Sequence, residues 1–398
     1  MRTKDETILE KIYTSSVLNK NPYGLLMEVN WDQFSDVSKV CYTPESVAKA
    51  LNDELERLSI PSKDRPEASK KFARLSRGNI PTDEQGKANV ENFKKQLMLR
   101  PKTIFDIGEK SLHTADEGKM TINTGIPALK AVIYDEQEDK FYVINTCPGA
   151  RDCIQNCYAM KAFYIMNDGK NLKLLNRLQL MMNHPEDYEK IAFMEAERYA
   201  FQAKQEGKEL KIRWNDAGDL FSDVYFNIAV RVDKALKEKG YNSSSYIYTK
   251  MGKYIELGKQ EGMKMVFSSG ASEKQRKIAG DLSNMSTQIT VPADVTKEFF
   301  IVKGGGRFEK DESGKSKFRT PQSKDQLRQR IVDFYNTHPS PDYAFLRGKL
   351  DVSRMKFTDE LPKQEGEPLE YDTITLPGGD SDAPAQRKDV RFTFLCFH

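Results

Sequence analysis

An α/β fold of the TIM-like barrel kind, partial or complete, is what this sequence predicts, and three features predict it. From about Lys102, short apolar runs alternate with amphipathic stretches of helical period. Four of those runs, LKIRWND, SSYIYTK, MKMVFSS and TQITVP, are separated by helices in a βαβαβ rhythm, which implies parallel pairing through right-handed crossovers. The segments that follow the runs, CPGARDC, DAGDLFS, TKMG and SSGAS, are small, polar or metal-capable, as expected where the loops of a barrel gather on its catalytic face.

The 398 residues divide by pattern into a helical, charged N-terminal extension (1–100), the barrel-like domain (101–302) and an irregular C-terminal extension (303–398). In the first, TPESVAKALNDELERL opens on Thr43 and places Val47, Leu51, Leu55 and Leu58 on one face, an amphipathic helix. The charged stretch that follows, with its Pro and Gly, reads as a long loop placed to close over a site. Two further strands, LKAVIYD and KFYVINT, precede the CPGARDC segment. Helices are expected at DCIQNCYAMKAFYIM, NLKLLNRLQLMMN, PEDYEKIAFMEAERYAFQAKQEG, VYFNIAVRVDKALKEKG, YIELGKQEG and SEKQRKIAGDL, several ending at a glycine that can take the left-handed terminating position. The C-terminal extension offers a helix at DQLRQRIVDFYNTH, linker-like sequence, and a last strand, RFTFLCFH.

With 38% apolar and 30% charged residues, and no run near the ~18 apolar residues of a membrane span, no membrane role is expected. The opening MRTKDETILEKIYTSS mixes both charge signs and reads as neither a signal nor a transit peptide, so a cytoplasmic location is expected. The net charge of +3 is neutral on polyanionic partners. Its distribution is segregated, with thirteen basic against seven acidic residues from Lys303 to Lys356 and one against eight from Phe357 to Asp382. A solvated face followed by an acidic linker accounts for that pattern, and a nucleic-acid contact at Lys303 to Arg330 is the sharper alternative. GGGR at 304–307 lacks the strand and helix context of a phosphate loop and reads as a turn.

Five cysteines, an odd number, occur in the chain, three of them within eleven residues as Cys147, Cys153 and Cys157. The spacing C-x5-C-x3-C directly after a strand favours metal over a disulfide framework. Three thiolates on one loop can hold three irons of a [4Fe-4S] cluster and leave the fourth open for a ligand. Zinc is the rival, with Cys41, Cys396, His113, His184, His338 or His398 as a fourth ligand, none at a short zinc-finger spacing.

The combination TCPGA, C-x3-CYA, AGDLFS and a Tyr-Thr-Lys strand end resembles the phage gene-product-88 family over about residues 120 to 300. That family in turn resembles radical S-adenosylmethionine enzymes, in which a three-cysteine loop follows the first barrel strand and an aromatic residue, here Tyr158, flanks the last cysteine. The spacing here is longer than their usual C-x3-C-x2-C. The resemblance implies a [4Fe-4S] cluster, S-adenosyl-L-methionine, an external electron donor and a nucleotide or nucleic-acid substrate. It also maps their cofactor-amine turn onto Ala217, Gly218 and Asp219. Tyr248 and Ser269, at later strand ends, join these as cofactor-binding candidates, and Asp219, Asp216 and Lys250 are the catalytic candidates. From the residues alone, Asp219 or Ser222 equally caps the next helix, and SSGAS equally opens one.

Two other functions remain open on the sequence. A zinc-containing barrel similar to base-exchanging transglycosylases would use Asp216 as its general base or recognition acid. A non-enzymatic host-interaction protein would use metal only to staple a loop.

Overall fold

The computed structural model describes residues 31–61, 64, 75, 77–107, 118–154, 157, 159, 168–282, 285–303, 308–312, 316–376 and 384–396. The chain forms two units, Met1–Pro148 with Ile154–Ser245, and Gly149–Cys153 with Tyr246–His398. The expected helix DCIQNCYAMKAFYIM falls largely outside the described residues, as do Tyr158, the GGGR turn, His113 and His398.

In the first unit, β1 (Lys39–Tyr42) leads into α1 (Pro44–Ser59), which starts where Thr43 Oγ1 accepts the Ser46 N–H at 3.2 Å. Then come α2 (Val90–Leu97), β2 (Asp106–Ile107), β3 (Lys119–Asn123), β4 (Lys130–Asp135) and β5 (Lys140–Asn145). They are followed by α3 (Asp168–Asn183), α4 (Pro185–Gln205), β6 (Glu209–Trp214) and α5 (Asp223–Glu238). β7 (Ser243–Thr249) spans the boundary between the units. Only Glu136 to Asp139 join β4 to β5, too short a link for a crossover. A hairpin results, its turn tied by the Asp135 carboxylate to the N–H groups of Gln137 and Glu138 at 2.9 and 3.1 Å. With β1 it makes a separate antiparallel sheet of order β1-β5-β4. The strand before the cysteines is therefore not a barrel strand. β3 pairs parallel with β6, and β2 covers its other edge antiparallel.

The second unit continues from β7 through α6 (Lys253–Gln260), β8 (Lys264–Ser268), α7 (Glu273–Ala279), β9 (Thr287–Val291), α8 (Ala293–Thr296) and α9 (Ser323–Thr337). It ends on β10 (Met355–Phe357), β11 (Tyr371–Thr375) and β12 (Val390–Cys396). The strand order is β7-β8-β9-β12-β11-β10, every pairing parallel. All seven residues of β12 are buried, Arg391 and Thr393 among them, as a central strand of a parallel sheet covered on both faces requires. Its neighbours share a core with α9 that includes Ile289, Phe300, Ile331, Tyr335, Phe392 and Phe394.

Mixed α/β architecture with a mostly parallel sheet is thus present, and consecutive strands are neighbours from β7 to β9 as in a barrel. The expected closed barrel is not. β12 occupies the far edge of β9 in register from Phe392↔Thr287 to Cys396↔Val291, so the sheet runs on to an open edge at β10 instead of curling shut. The region read as linker supplies two of those strands, β10 and β11. Several cations of the basic segment are committed to carboxylates: Lys317 to Glu309 at 3.3 Å, Lys324 to Glu360 at 3.6 Å, and Arg328 to Asp325 and Glu360. Among the described residues, no helix is long and apolar enough to cross a membrane.

Between β11 and β12, Arg391 grips Asp372 with two bonds of 2.9 and 2.7 Å, and neither residue is more than 8% exposed. Burial pushes the Asp372 carboxyl up against the pull of that guanidinium. Removing one partner leaves an uncompensated buried charge, so Asp372→Ala should cost about 3–5 kcal/mol in urea unfolding. The double replacement Asp372→Leu with Arg391→Met should cost far less, and equal losses in the two proteins would show that the pairing is not what matters.

Candidate functional site

In the first unit the site is a knot of strand ends. The β3–β6 ladder continues one residue past the strands, with the Thr124 N–H donating to the Arg213 carbonyl at 3.0 Å. The Thr124 carbonyl then accepts the Asp216 N–H at 2.7 Å, drawing the chain around Asn215, whose φ is 64°. Next, the Ile126 N–H bonds the Ala217 carbonyl at 3.0 Å, and the Asp219 N–H bonds the Thr146 carbonyl at 3.0 Å. The turn expected to hold a cofactor is thereby fastened to the residue preceding Cys147. Gly218 is required by the fold itself: its φ is +78°, and a Cβ there would come within 2.4 Å of Ile126 Cγ1.

Asp219 is 2% exposed, and its Oδ1 accepts the Leu220 N–H at 2.7 Å. It does not cap α5; Ser222 does, accepting the Tyr225 N–H at 3.1 Å. Asp216 is ion-paired with Lys170 at 3.3 Å and Arg213 at 3.5 Å. Cys147 is held at both ends: its N–H donates to Asn145 Oδ1 at 3.0 Å, and its Sγ accepts the Leu129 N–H at 3.3 Å. Leu129 stands at φ 67°, a left-handed conformation rare for leucine.

In the second unit, residues 149–153 lie on the ends of β7 and β8. Arg151 and Asp152 both donate their N–H to the Gly270 carbonyl, at 2.8 and 3.1 Å, and Ser272 donates to the Gly149 carbonyl at 2.8 Å. A Cβ at Gly149 would meet the Lys250 carbonyl oxygen at 2.6 Å, and one at Gly270 the Cys153 nitrogen at 2.8 Å, so two backbones pack directly. Lys250 thus contributes its main chain here. Ser269 Oγ accepts the Thr290 N–H at 3.1 Å, Tyr248 packs beside Tyr246 and Val266, and Ser272 caps α7.

Cys147, Cys153 and Cys157 are half-buried thiols in no disulfide, which suits a metal in donor type. Among the described residues, however, no three His, Cys, Asp or Glu side chains form a group that could hold a metal ion. Of the other zinc-ligand candidates, Cys396 is buried in β12 with its thiol pushed up to about 12 by burial, and His338 accepts the Ser340 N–H at 3.1 Å.

A set of buried polar residues in the first unit was not apparent in the sequence. Glu195 of α4 is fully buried, and its Oε2 accepts the N–H groups of Ile104 and Phe105 at 2.9 Å each. Its Oε1, both amide atoms of Asn215, and the hydroxyls of Thr124, Tyr188 and Tyr225 are buried with no hydrogen-bond partner among the described residues. The Tyr188 and Thr124 hydroxyls lie beside each other without hydrogen-bond geometry. Each such atom costs about 1–3 kcal/mol if nothing satisfies it. The signal available in the sequence was an acid on the apolar face of α4, among Ala192, Ala196 and Tyr199.

The chain belongs to the Gene product 88 family, a phage protein family whose model matches residues 106–329, from β2 into α9. No curated protein and no solved structure is matched.

Burial pushes the Glu195 carboxyl up to about 7, against the two N–H bonds and the charges of Arg177 and Arg198. The folded state then keeps a proton that the unfolded chain releases above its ordinary value of 4.5. Stability from this group is full below about pH 4.5 and is lost as pH rises through about 7. Urea unfolding should therefore show a fall on the order of 2 kcal/mol between those limits, absent in Glu195→Gln. An identical pH slope in the mutant would show that Glu195 is not the group responsible.

Proposed function

We propose that this protein is an iron-sulfur enzyme of radical S-adenosylmethionine type, acting on a nucleotide or nucleic acid in the host cytoplasm with an external electron donor. The observation that carries the reading is the bond from the Asp219 N–H to the Thr146 carbonyl, 3.0 Å long, which fastens the turn Ala217–Gly218–Asp219 next to Cys147. Cys147, Cys153 and Cys157 would hold the cluster, and the Leu129 N–H on Cys147 Sγ is the kind of hydrogen bond that tunes a metal-bound thiolate. When bound, a [4Fe-4S] cluster with one open iron supplies an electron to S-adenosyl-L-methionine.

The chain's own groups position the cofactor. The Asp219 carboxylate, little exposed and oriented by the Leu220 N–H, would accept charge-assisted hydrogen bonds from the methionine ammonium. Asp216, neutralised by Lys170 and Arg213, braces the turn from its other side. Ser222 closes the segment by starting α5. Family membership supports the phage setting, and hence the nucleic-acid or nucleotide substrate.

Protein purified without oxygen should be brown and contain iron and sulfide. Each of Cys147→Ala, Cys153→Ala and Cys157→Ala should lose the metal, whereas Cys41→Ala and Cys396→Ala should keep it. Colourless wild-type protein with stoichiometric zinc, or full iron retention in Cys153→Ala, would refute the cluster.

Asp219→Asn keeps an acceptor for the Leu220 N–H but removes the charge. It should leave the metal in place and weaken S-adenosyl-L-methionine binding by about 2–5 kcal/mol in calorimetric titration, if the ion pair is desolvated. Unchanged affinity in the mutant would remove Asp219 from the cofactor site, and no binding by cluster-loaded wild type would remove the radical mechanism.

A further inference from the structure

We propose that Thr124, Tyr188, Asn215, Tyr225 and Glu195 line an internal water site in the first unit, in which Glu195 is a hydrogen-bond donor. Five side chains from four separate segments, each at most 3% exposed, carry atoms with no hydrogen-bond partner among the described residues. They are linked to one another. Thr124 braces the turn through Asn215, Tyr188 lies beside Thr124, and the Tyr188 side chain interacts electrostatically with both Tyr225 and Glu195. Buried native polar groups find partners, and orphans gathered in one place point to a shared one.

The chemistry of the lining selects that partner. Hydroxyls and an amide both donate and accept, so the occupant must do both. A neutral occupant fits, because the hydroxyls and the amide carry no charge and Arg177, one of the two cations acting on Glu195, is already committed to Asp106 at 2.9 Å and to the Thr103 carbonyl at 3.0 Å. It is small, because the lining is almost closed to solvent. Water meets all three conditions, and polar interiors hold it routinely.

Glu195 has a defined place in this site. Its Oε2 is occupied by two N–H donors, so a proton on the carboxyl resides on Oε1, which has no acceptor among the described residues. A water there accepts the hydrogen bond of that carboxyl and donates its own hydrogens to the hydroxyls, the proton staying on Glu195. Burial, which pushes the carboxyl up to about 7, leaves a substantial share of the acid protonated at neutral pH, with Arg177 and Arg198 the charges opposing it. The inference involves neither metal nor cofactor, so it stands or falls separately from the function proposed above.

The test is the sign of a stability change. Tyr188→Phe, Tyr225→Phe and Thr124→Val preserve shape and delete one hydroxyl each. If the hydroxyls hold water, each variant should melt lower by about 2–4 °C. If they are dry orphans, deleting them relieves a penalty, and unchanged or raised melting temperatures would overturn the site. Infrared spectroscopy at neutral pH gives a second reading. A protonated-carboxyl band should be present in wild type, absent in Glu195→Gln and displaced in Tyr188→Phe. No band lost in Glu195→Gln, or a band unmoved in Tyr188→Phe, would overturn the hydrogen-bond-donor role.

Discussion

The main chain of Thr124 sets the geometry of the first unit. Its N–H extends the β3–β6 ladder to Arg213, and its carbonyl turns the following chain by accepting from Asp216. Everything downstream is placed by that reversal: Asn215 takes a left-handed conformation, and Ala217 and Asp219 then reach the Ile126 and Thr146 backbones. The approach is so close that a Cβ on Gly125 would lie 2.8 Å from the Ala217 nitrogen. The small residues Ala-Gly at this turn are explained by that proximity, before any ligand is considered. Asp219 is located through its backbone, so its carboxylate can be altered without releasing the turn.

The second unit holds the cysteine loop by the same means. Gly270 offers one carbonyl to two successive N–H groups, and the lack of a side chain there lets Cys153 sit against it. Cys396 is a different case. It closes a central strand, and burial raises its thiol to about 12, the condition of an inert core sulfur. The cysteines therefore sort by environment as well as by spacing.

Local pattern was legible and long-range pairing was not. The runs read as strands from LKAVIYD to TQITVP all became strands, because each concentrates β-branched or aromatic residues between turn signals. β3 escaped notice because KMTIN buries only its alternate residues and is half polar. β11 was hidden in acidic sequence: its buried Asp372 is neutralised by Arg391, and its buried Thr373 bonds Thr393 at 3.2 Å, partners from β12 that composition cannot supply. Barrel closure failed for the same reason. The edge of β9 is claimed by a strand about a hundred residues later, and nothing in TQITVP announces it. At the candidate site, the cysteine spacing and the Ser222 cap could be read directly. The buried polar set could not, since Thr124, Tyr188, Asn215 and Tyr225 each look ordinary on their own segment and acquire meaning only by convergence.

That convergence carries an energetic argument. Six unsatisfied atoms at about 1–3 kcal/mol each would consume much of the ~5–15 kcal/mol by which a domain is stable. Phe, Val and Leu would fill the same volumes without that cost, and α4 already presents Ala192, Ala196 and Ala200 to the interior. A polar set retained in so apolar a setting is stable only where each member finds a partner. Glu195 sharpens the point. Two N–H groups fix one of its oxygens, and burial favours the protonated acid, so the remaining oxygen presents a donor to whatever lies among the hydroxyls. The close backbone packing at Gly125 and Gly218 thus adjoins the unsatisfied groups of Thr124 and Asn215, and the hydrogen bonds of the Thr124 main chain hold the two segments that carry them.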